Sequence, residues 1–149
     1  MSVTTAAPVS IVVADDDLGH CELIRRNLRR AGLHNPVVTV HSGEVALEYV
    51  RQHAPQKPLL VMLDINMPGA VDGTEVLRQL KDDAATQRVP VIMLTTTDDP
   101  REIERCYALG CNVYVTKPID PALFIEAIRR IGLFVQIVSV APPEVERSA

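Results

Sequence analysis

The sequence predicts an α/β fold, a doubly wound parallel sheet of five strands in the order 2-1-3-4-5. Two observations carry that expectation. Short apolar runs alternate with segments of helical periodicity along all but the ends of the 149 residues. The runs are apolar at most consecutive positions rather than at every second one, so each strand is expected to be buried on both faces, as a parallel sheet covered by helices requires. Right-handed crossovers then leave few topologies open.

The elements follow in order. "SIVVA" (10–14) is the first strand, and Cys21, Ile24, Leu28 and Ala31 recur at helical spacing until Gly32. "PVVTV" (36–40) is the second strand, followed by a helix through Val45, Ala46, Tyr49 and Val50 that ends before Pro55. "LLVML" (59–63) is the third, with Val76, Leu77 and Leu80 marking its helix. "VPVIML" (89–94) is the fourth, with Ile103, Cys106 and Tyr107 on a helix that stops near Gly110. "NVYVT" (112–116) is the fifth, and Phe124, Ile128 and Ile131 mark a last helix from Asp120-Pro121 to Gly132. Five such units are expected to make a flavodoxin-like (βα)5 domain over residues 10–132, with an N-terminal arm at 1–9 and a C-terminal extension at 133–149, and no second, output domain is expected after it.

Composition narrows the function. The net charge is −4 and no basic stripe exists to neutralise phosphates, so direct DNA binding is not expected. No apolar run is long enough for a membrane span, and the N-terminus lacks a charged region ahead of an apolar one. Three cysteines, Cys21, Cys106 and Cys111, read as reduced core residues of a cytoplasmic protein. His20, His34, His41 and His53 are scattered rather than paired at zinc-binding spacing.

In folds of this class the site lies outside the C-terminal ends of the strands. Here the first strand ends in Asp15-Asp16-Asp17, the third in Asp64, the fourth in Thr95-Thr96-Thr97 and the fifth in Thr116-Lys117-Pro118. Singly, each is ordinary. Asp17 reads as a helix cap, Lys-Pro as a turn, and a strand-end Thr as a satisfied hydroxyl. Together they place three carboxylates, a hydroxyl and a lysine on one rim. Asp15, Asp16 and Asp64 would raise one another's pKa and call for a cation, and an all-oxygen set favours Mg²⁺, or Mn²⁺ in its place. With Lys117 opposite and Thr95 as a donor, the set suits in-line phosphoryl transfer onto Asp64. The product, an acyl phosphate, hydrolyses readily and serves as a transient mark.

With these residues in view, the chain resembles the receiver domains of two-component response regulators. "VADDD", "LDINMP", "DGTEVL", "VPVIMLTTTD" and "YVTKPID" are the landmarks, spread over nearly the whole chain. The resemblance implies that Asp64 accepts a phosphoryl group from a phosphohistidine on a sensor histidine kinase. It implies Asp16, Asp64 and the backbone carbonyl of Asn66 as metal ligands, with Asp15 assisting through the metal's water. Lys117 would contact the phosphoryl oxygens, and Thr95 and Tyr114 would form the switch that responds. The stretch at 93–96 and the apolar tail "LFVQIVSV" also resemble small response regulators that partner phytochrome-type kinases, which implies a homodimer through the last helices and the extension; from the residues alone, packing of the tail on its own domain stays open as the alternative.

Three departures bear on rate. The loop "MPGAVDG" is one residue longer than the common pattern, so Gly69 to Val71 is expected to bulge near the site. Thr96 holds a position usually small, where a β-branched side chain narrows access for phosphoryl donor or water. Asn66 and Thr97 flank the line of attack and, with Thr96, are expected to set the lifetime of the phosphorylated state. Two other classes stay open. A haloacid-dehalogenase-type phosphatase would use a similar set but needs an acid where Asn66 stands. A receiver-shaped interaction module would never be phosphorylated.

Overall fold

The computed structural model describes residues 8–136. Over these residues the order is β1 (Ser10–Ala14), α1 (Leu18–Arg30), β2 (Val37–Val40), α2 (Gly43–His53), β3 (Leu59–Leu63), α3 (Gly73–Asp82), β4 (Val91–Thr95), α4 (Pro100–Leu109), β5 (Val113–Thr116) and α5 (Pro121–Val135). The strands form one sheet, all neighbours parallel, in the order β2-β1-β3-β4-β5. This is the expected flavodoxin-like arrangement. The expected dimer arm beyond residue 136 and most of the N-terminal arm lie outside the described residues.

Alternate residues of the three central strands feed two separate cores, which is why those strands are apolar at all positions but Ser10 and Thr95. Val12, Ala14, Leu59, Val61, Leu63, Val91 and Met93 pack with α2, α3 and Cys106 of α4. Ile11, Val13, Leu60, Met62, Ile92 and Leu94 pack with α1 and α5 on the other face. Each fully buried Leu, Ile or Met contributes about 1.5–3 kcal/mol of transfer free energy. The edge strands differ from expectation: β2 and β5 are mostly half-buried, because each has only one neighbour in the sheet.

Every helix begins on a residue whose side-chain oxygen accepts from a backbone N–H of the first turn: Asp17, Ser42, Asp72, Asp99 and Asp120. These caps fix where each strand-end loop stops. Pro121 opens α5, and Gly110, with φ of 108°, closes α4.

Two boundaries correct the sequence reading. β4 ends on Thr95, so that residue lies inside the ladder rather than after it. More importantly, α5 does not stop at Gly132 but continues to Val135. A Cβ at Gly132 would lie 2.9 Å from the Cβ of Ala31 in the turn after α1. The glycine lets α5 pass close to the end of α1, and the helix continues to bury Val135. It is a packing glycine rather than a stop. No helix among the described residues is long and apolar enough to cross a membrane.

Candidate functional site

Parallel, in-register strands bring their C-terminal ends to one rim: Ala14 pairs with Leu63, and Thr95 with Thr116. Hydrogen bonding carries the ladder one step further. The Asp64 N–H donates to the Ala14 carbonyl at 3.0 Å, the Asp15 N–H to Val40 at 3.0 Å, and the Lys117 N–H to Thr95 at 2.6 Å. The residues just past the apolar strands are therefore held as firmly as the strands themselves. Asp15, Asp64, Thr95 and Lys117 are all buried, which is costly for polar groups unless they are partnered.

Lys117 supplies most of that partnership. Its ammonium donates to Asp15 Oδ2 at 2.5 Å and to Asp64 Oδ2 at 3.0 Å. The Asp64 Oδ1 accepts from the Asn66 N–H at 3.2 Å, so both oxygens of that carboxylate are oriented. Asp15 is tied down at its backbone as well. Its carbonyl lies 3.0 Å from His41 Nδ1 and 3.3 Å from the Cys21 thiol, which donates to it.

The electrostatics of the pair follow from burial. Burial raises the pKa of Asp15, and the Lys117 hydrogen bond and charge only partly offset it, with Asp64 pushing it further up. Burial also depresses the Lys117 ammonium, but the bond to Asp15 and the charges of Asp64 and Asp15 outweigh that, so its pKa rises. The site thus holds a lysine firmly charged and a carboxylate cluster with negative charge still to be compensated.

That cluster is Asp15, Asp16 and Asp64, each with one carboxylate oxygen within 4.8 Å of the others. Asp16 is exposed, so the group opens to solvent on one side. Hard oxygen donors with room for water suit Mg²⁺ or Mn²⁺, and three carboxylates facing one ammonium leave formal negative charge that a divalent cation would balance. Thr95 adds a second open valence: its hydroxyl is buried with no hydrogen-bond partner. A buried hydroxyl of this kind is normally satisfied, so an oxyanion arriving at the rim would complete it.

The residues expected to tune rate stand at the mouth. Asn66 and Thr96 are exposed, and the Asn66 amide donates to Thr97 Oγ1 at 3.3 Å and lies 3.5 Å from Thr96 Oγ1. The Tyr114 hydroxyl donates to the Thr97 carbonyl at 2.6 Å, linking β5 to the loop after β4. Burial pushes that phenol up to about 12. The long loop turns at Gly69, whose φ is 99°, and leans on the start of α2, where a Cβ on Gly43 would lie 2.1 Å from the Val71 carbonyl.

Sequence reasoning passed over His20. It lies in the first turn of α1, with Nδ1 3.1 Å from the Lys117 ammonium and its ring edge-on to Phe124. Asp17 itself sits as expected, accepting from the His20 N–H at 3.0 Å, and that bond lowers its pKa. The three cysteines are buried and unpaired.

Known proteins share this arrangement of strands. The profile of the response regulator receiver domain matches residues 11–129. The crystal structure of a response regulator receiver domain from Rhodospirillum rubrum is 44% identical, covers 91% of this chain and 98% of its own, and superposes with a TM-score of 0.86. The phosphorylated cyanobacterial phytochrome response regulator RcpA is 31% identical, with 93% and 100% coverage and a TM-score of 0.81. The polar-differentiation response regulator DivK of Brucella anthropi is 33% identical over 122 residues, which is 82% of this chain and 94% of that protein. The chain belongs to the response regulator receiver domain family.

Proposed function

We propose that the protein is a response regulator that accepts a phosphoryl group on Asp64 from a sensor histidine kinase. The observation that carries this is the single ammonium of Lys117 bridging Asp15 and Asp64 beside an unsatisfied Thr95 hydroxyl. Asp64 Oδ1 accepts from the Asn66 N–H and Oδ2 from Lys117, so the carboxylate is held in a fixed orientation for in-line attack. Its lone pair forms the new P–O bond. The bond from phosphorus to the donor's imidazole nitrogen breaks, and that nitrogen keeps the electron pair. Lys117 and Thr95 then donate to the phosphoryl oxygens, where charge is concentrated.

Asp15, Asp16 and Asp64, with the Asn66 carbonyl, would hold Mg²⁺ or Mn²⁺, which supplies charge neutralisation of the phosphoryl oxygens when bound. The switch reading assigns Thr95 and Tyr114 as its moving parts. Drawing Thr95 toward the phosphate shifts the loop whose Thr97 carbonyl now holds the Tyr114 hydroxyl, and that releases the ring. The likeness to RcpA supports a phytochrome-type kinase as the donor. Leu133 and Phe134, 51% and 43% exposed on α5, support a homodimer through the last helices.

The test is intact mass after incubation with Mg²⁺ and acetyl phosphate. A phosphoryl-sized gain, lost with EDTA and absent in Asp64→Asn, is the expected result. Steady release of phosphate from a stable ester would point instead to a phosphatase. Phosphotransfer from a phytochrome-type kinase faster than from unrelated kinases supports the assigned donor. A sedimentation coefficient unchanged between the wild type and Phe134→Glu removes α5 from the dimer.

A further inference from the structure

We propose that His20 is a positioning residue for Lys117, acting as the third acceptor that holds the ammonium in place when Asp64 is converted. This rests on the phosphoacceptor reading. An ammonium has three protons and no acceptor of its own. Lys117 finds three partners: Asp15 Oδ2 at 2.5 Å, Asp64 Oδ2 at 3.0 Å and His20 Nδ1 at 3.1 Å. Because the ammonium only donates, Nδ1 must present its lone pair and the ring proton must sit on Nε2. Asp17 Oδ2, 3.6 Å from Nε2, favours the proton there.

The ring is held on two further sides. Asp17 accepts from the His20 backbone N–H at 3.0 Å, which anchors the residue at the helix start. Phe124 of α5 meets the imidazole edge-on at a centroid distance of 5.0 Å and an interplanar angle of 69°, and the same ring lies 5.9 Å from the Lys117 ammonium. α1 and α5, at opposite ends of the domain's sequence, thus converge on the lysine.

The third acceptor matters because the other two change. Phosphorylation commits an Asp64 oxygen to phosphorus, and compensation of Asp15 by a cation weakens its hold on Lys117. The imidazole takes part in neither event, so its acceptor nitrogen stays where it is. It keeps one N–H occupied, so the remaining protons stay aimed at the phosphoryl oxygens.

His20→Leu and His20→Asn separate this role from packing. The two replacements have nearly the same shape, but Asn places an acceptor oxygen where Nδ1 stands. With acetyl phosphate and Mg²⁺, His20→Leu is expected to phosphorylate about tenfold more slowly than the wild type, and His20→Asn to recover most of that loss. A second readout needs neither metal nor donor. In ¹⁵N-edited NMR spectra of the metal-free protein, the Lys117 ammonium is expected to be protected from exchange in the wild type and His20→Asn, and exposed in His20→Leu. Equal rates in all three proteins, an equal fall in Leu and Asn, or an equally protected ammonium in His20→Leu overturns the proposal. A wild type that takes up no phosphoryl group while its ammonium depends on His20 overturns the phosphoacceptor reading itself, and this role with it.

Discussion

The first residue of α3, Gly73, lies so close to Asp64 that a Cβ on it would sit 2.0 Å from the Asp64 carbonyl oxygen and 2.6 Å from the Ile65 Cα. Both atoms are backbone, and the Gly73 N–H is itself bonded to the Ile65 carbonyl at 2.9 Å. Neither side can give way by a rotamer change. Gly73→Ala is expected to cost about 3 kcal/mol of stability and to displace the Asp64 loop. Urea unfolding checks the first effect. A variant as stable as the wild type would mean that α3 does not start against the loop.

The acidic cluster is expected to make stability sensitive to divalent cations. Mg²⁺ is expected to raise the unfolding free energy by about 1.4 kcal/mol for each tenfold excess over its dissociation constant once that is exceeded, and the urea midpoint with it. EDTA should restore the original midpoint, and Asp16→Asn should weaken the response. An equal response in wild type and Asp16→Asn would remove Asp16 from the ligand set.

Thr96 and Thr97 share the Asn66 amide at the mouth of the site. Thr96→Ala removes a branched side chain from that rim. It is expected to speed both phosphorylation by acetyl phosphate and loss of the phosphoryl group, by about threefold or more. Single-turnover decay followed by intact mass measures the second rate. Unchanged rates would show that the rim does not limit access.

Alkaline pH should destabilise the fold. Burial raises the thiols of Cys21 and Cys111 from 9.0 to about 11, and Tyr114 from 10.0 to about 12. The unfolded chain then releases protons that the folded chain retains, so stability is intact below pH 9 and falls as pH rises toward 11. The loss is of order 2 kcal/mol per buried thiol. Urea midpoints between pH 7 and 11 should decline, and less steeply in Cys111→Ala. A flat profile would contradict burial of these groups.

The sequence exposed some of these features and hid others for physical reasons. Strands apolar on consecutive positions announced a sheet covered on both faces, and the alternation of Ile11 and Val13 against Val12 and Ala14 between two cores is the structural form of that signal. Asp15, Asp64, Thr95 and Lys117 were legible because the fold puts strand ends together, so order along the chain translates into proximity. Gly132 was misread because a glycine that ends a helix and one that admits a neighbouring helix look alike without the partner, here Ala31. His20 was missed because its contact with Lys117 spans 97 residues and has no local pattern. The Val71 carbonyl resting on Gly43 was hidden in the same way.

The most direct measurement locates the phosphoryl group. Borohydride reduces an acyl phosphate of aspartate to homoserine, which marks the residue permanently. The protein would be phosphorylated with Mg²⁺ and acetyl phosphate, reduced, digested and sequenced by mass spectrometry. Homoserine at position 64, dependent on Mg²⁺, is the expected result. Homoserine at Asp15 or Asp16, phosphate on another residue, or no modification in folded protein would contradict the assignment of Asp64.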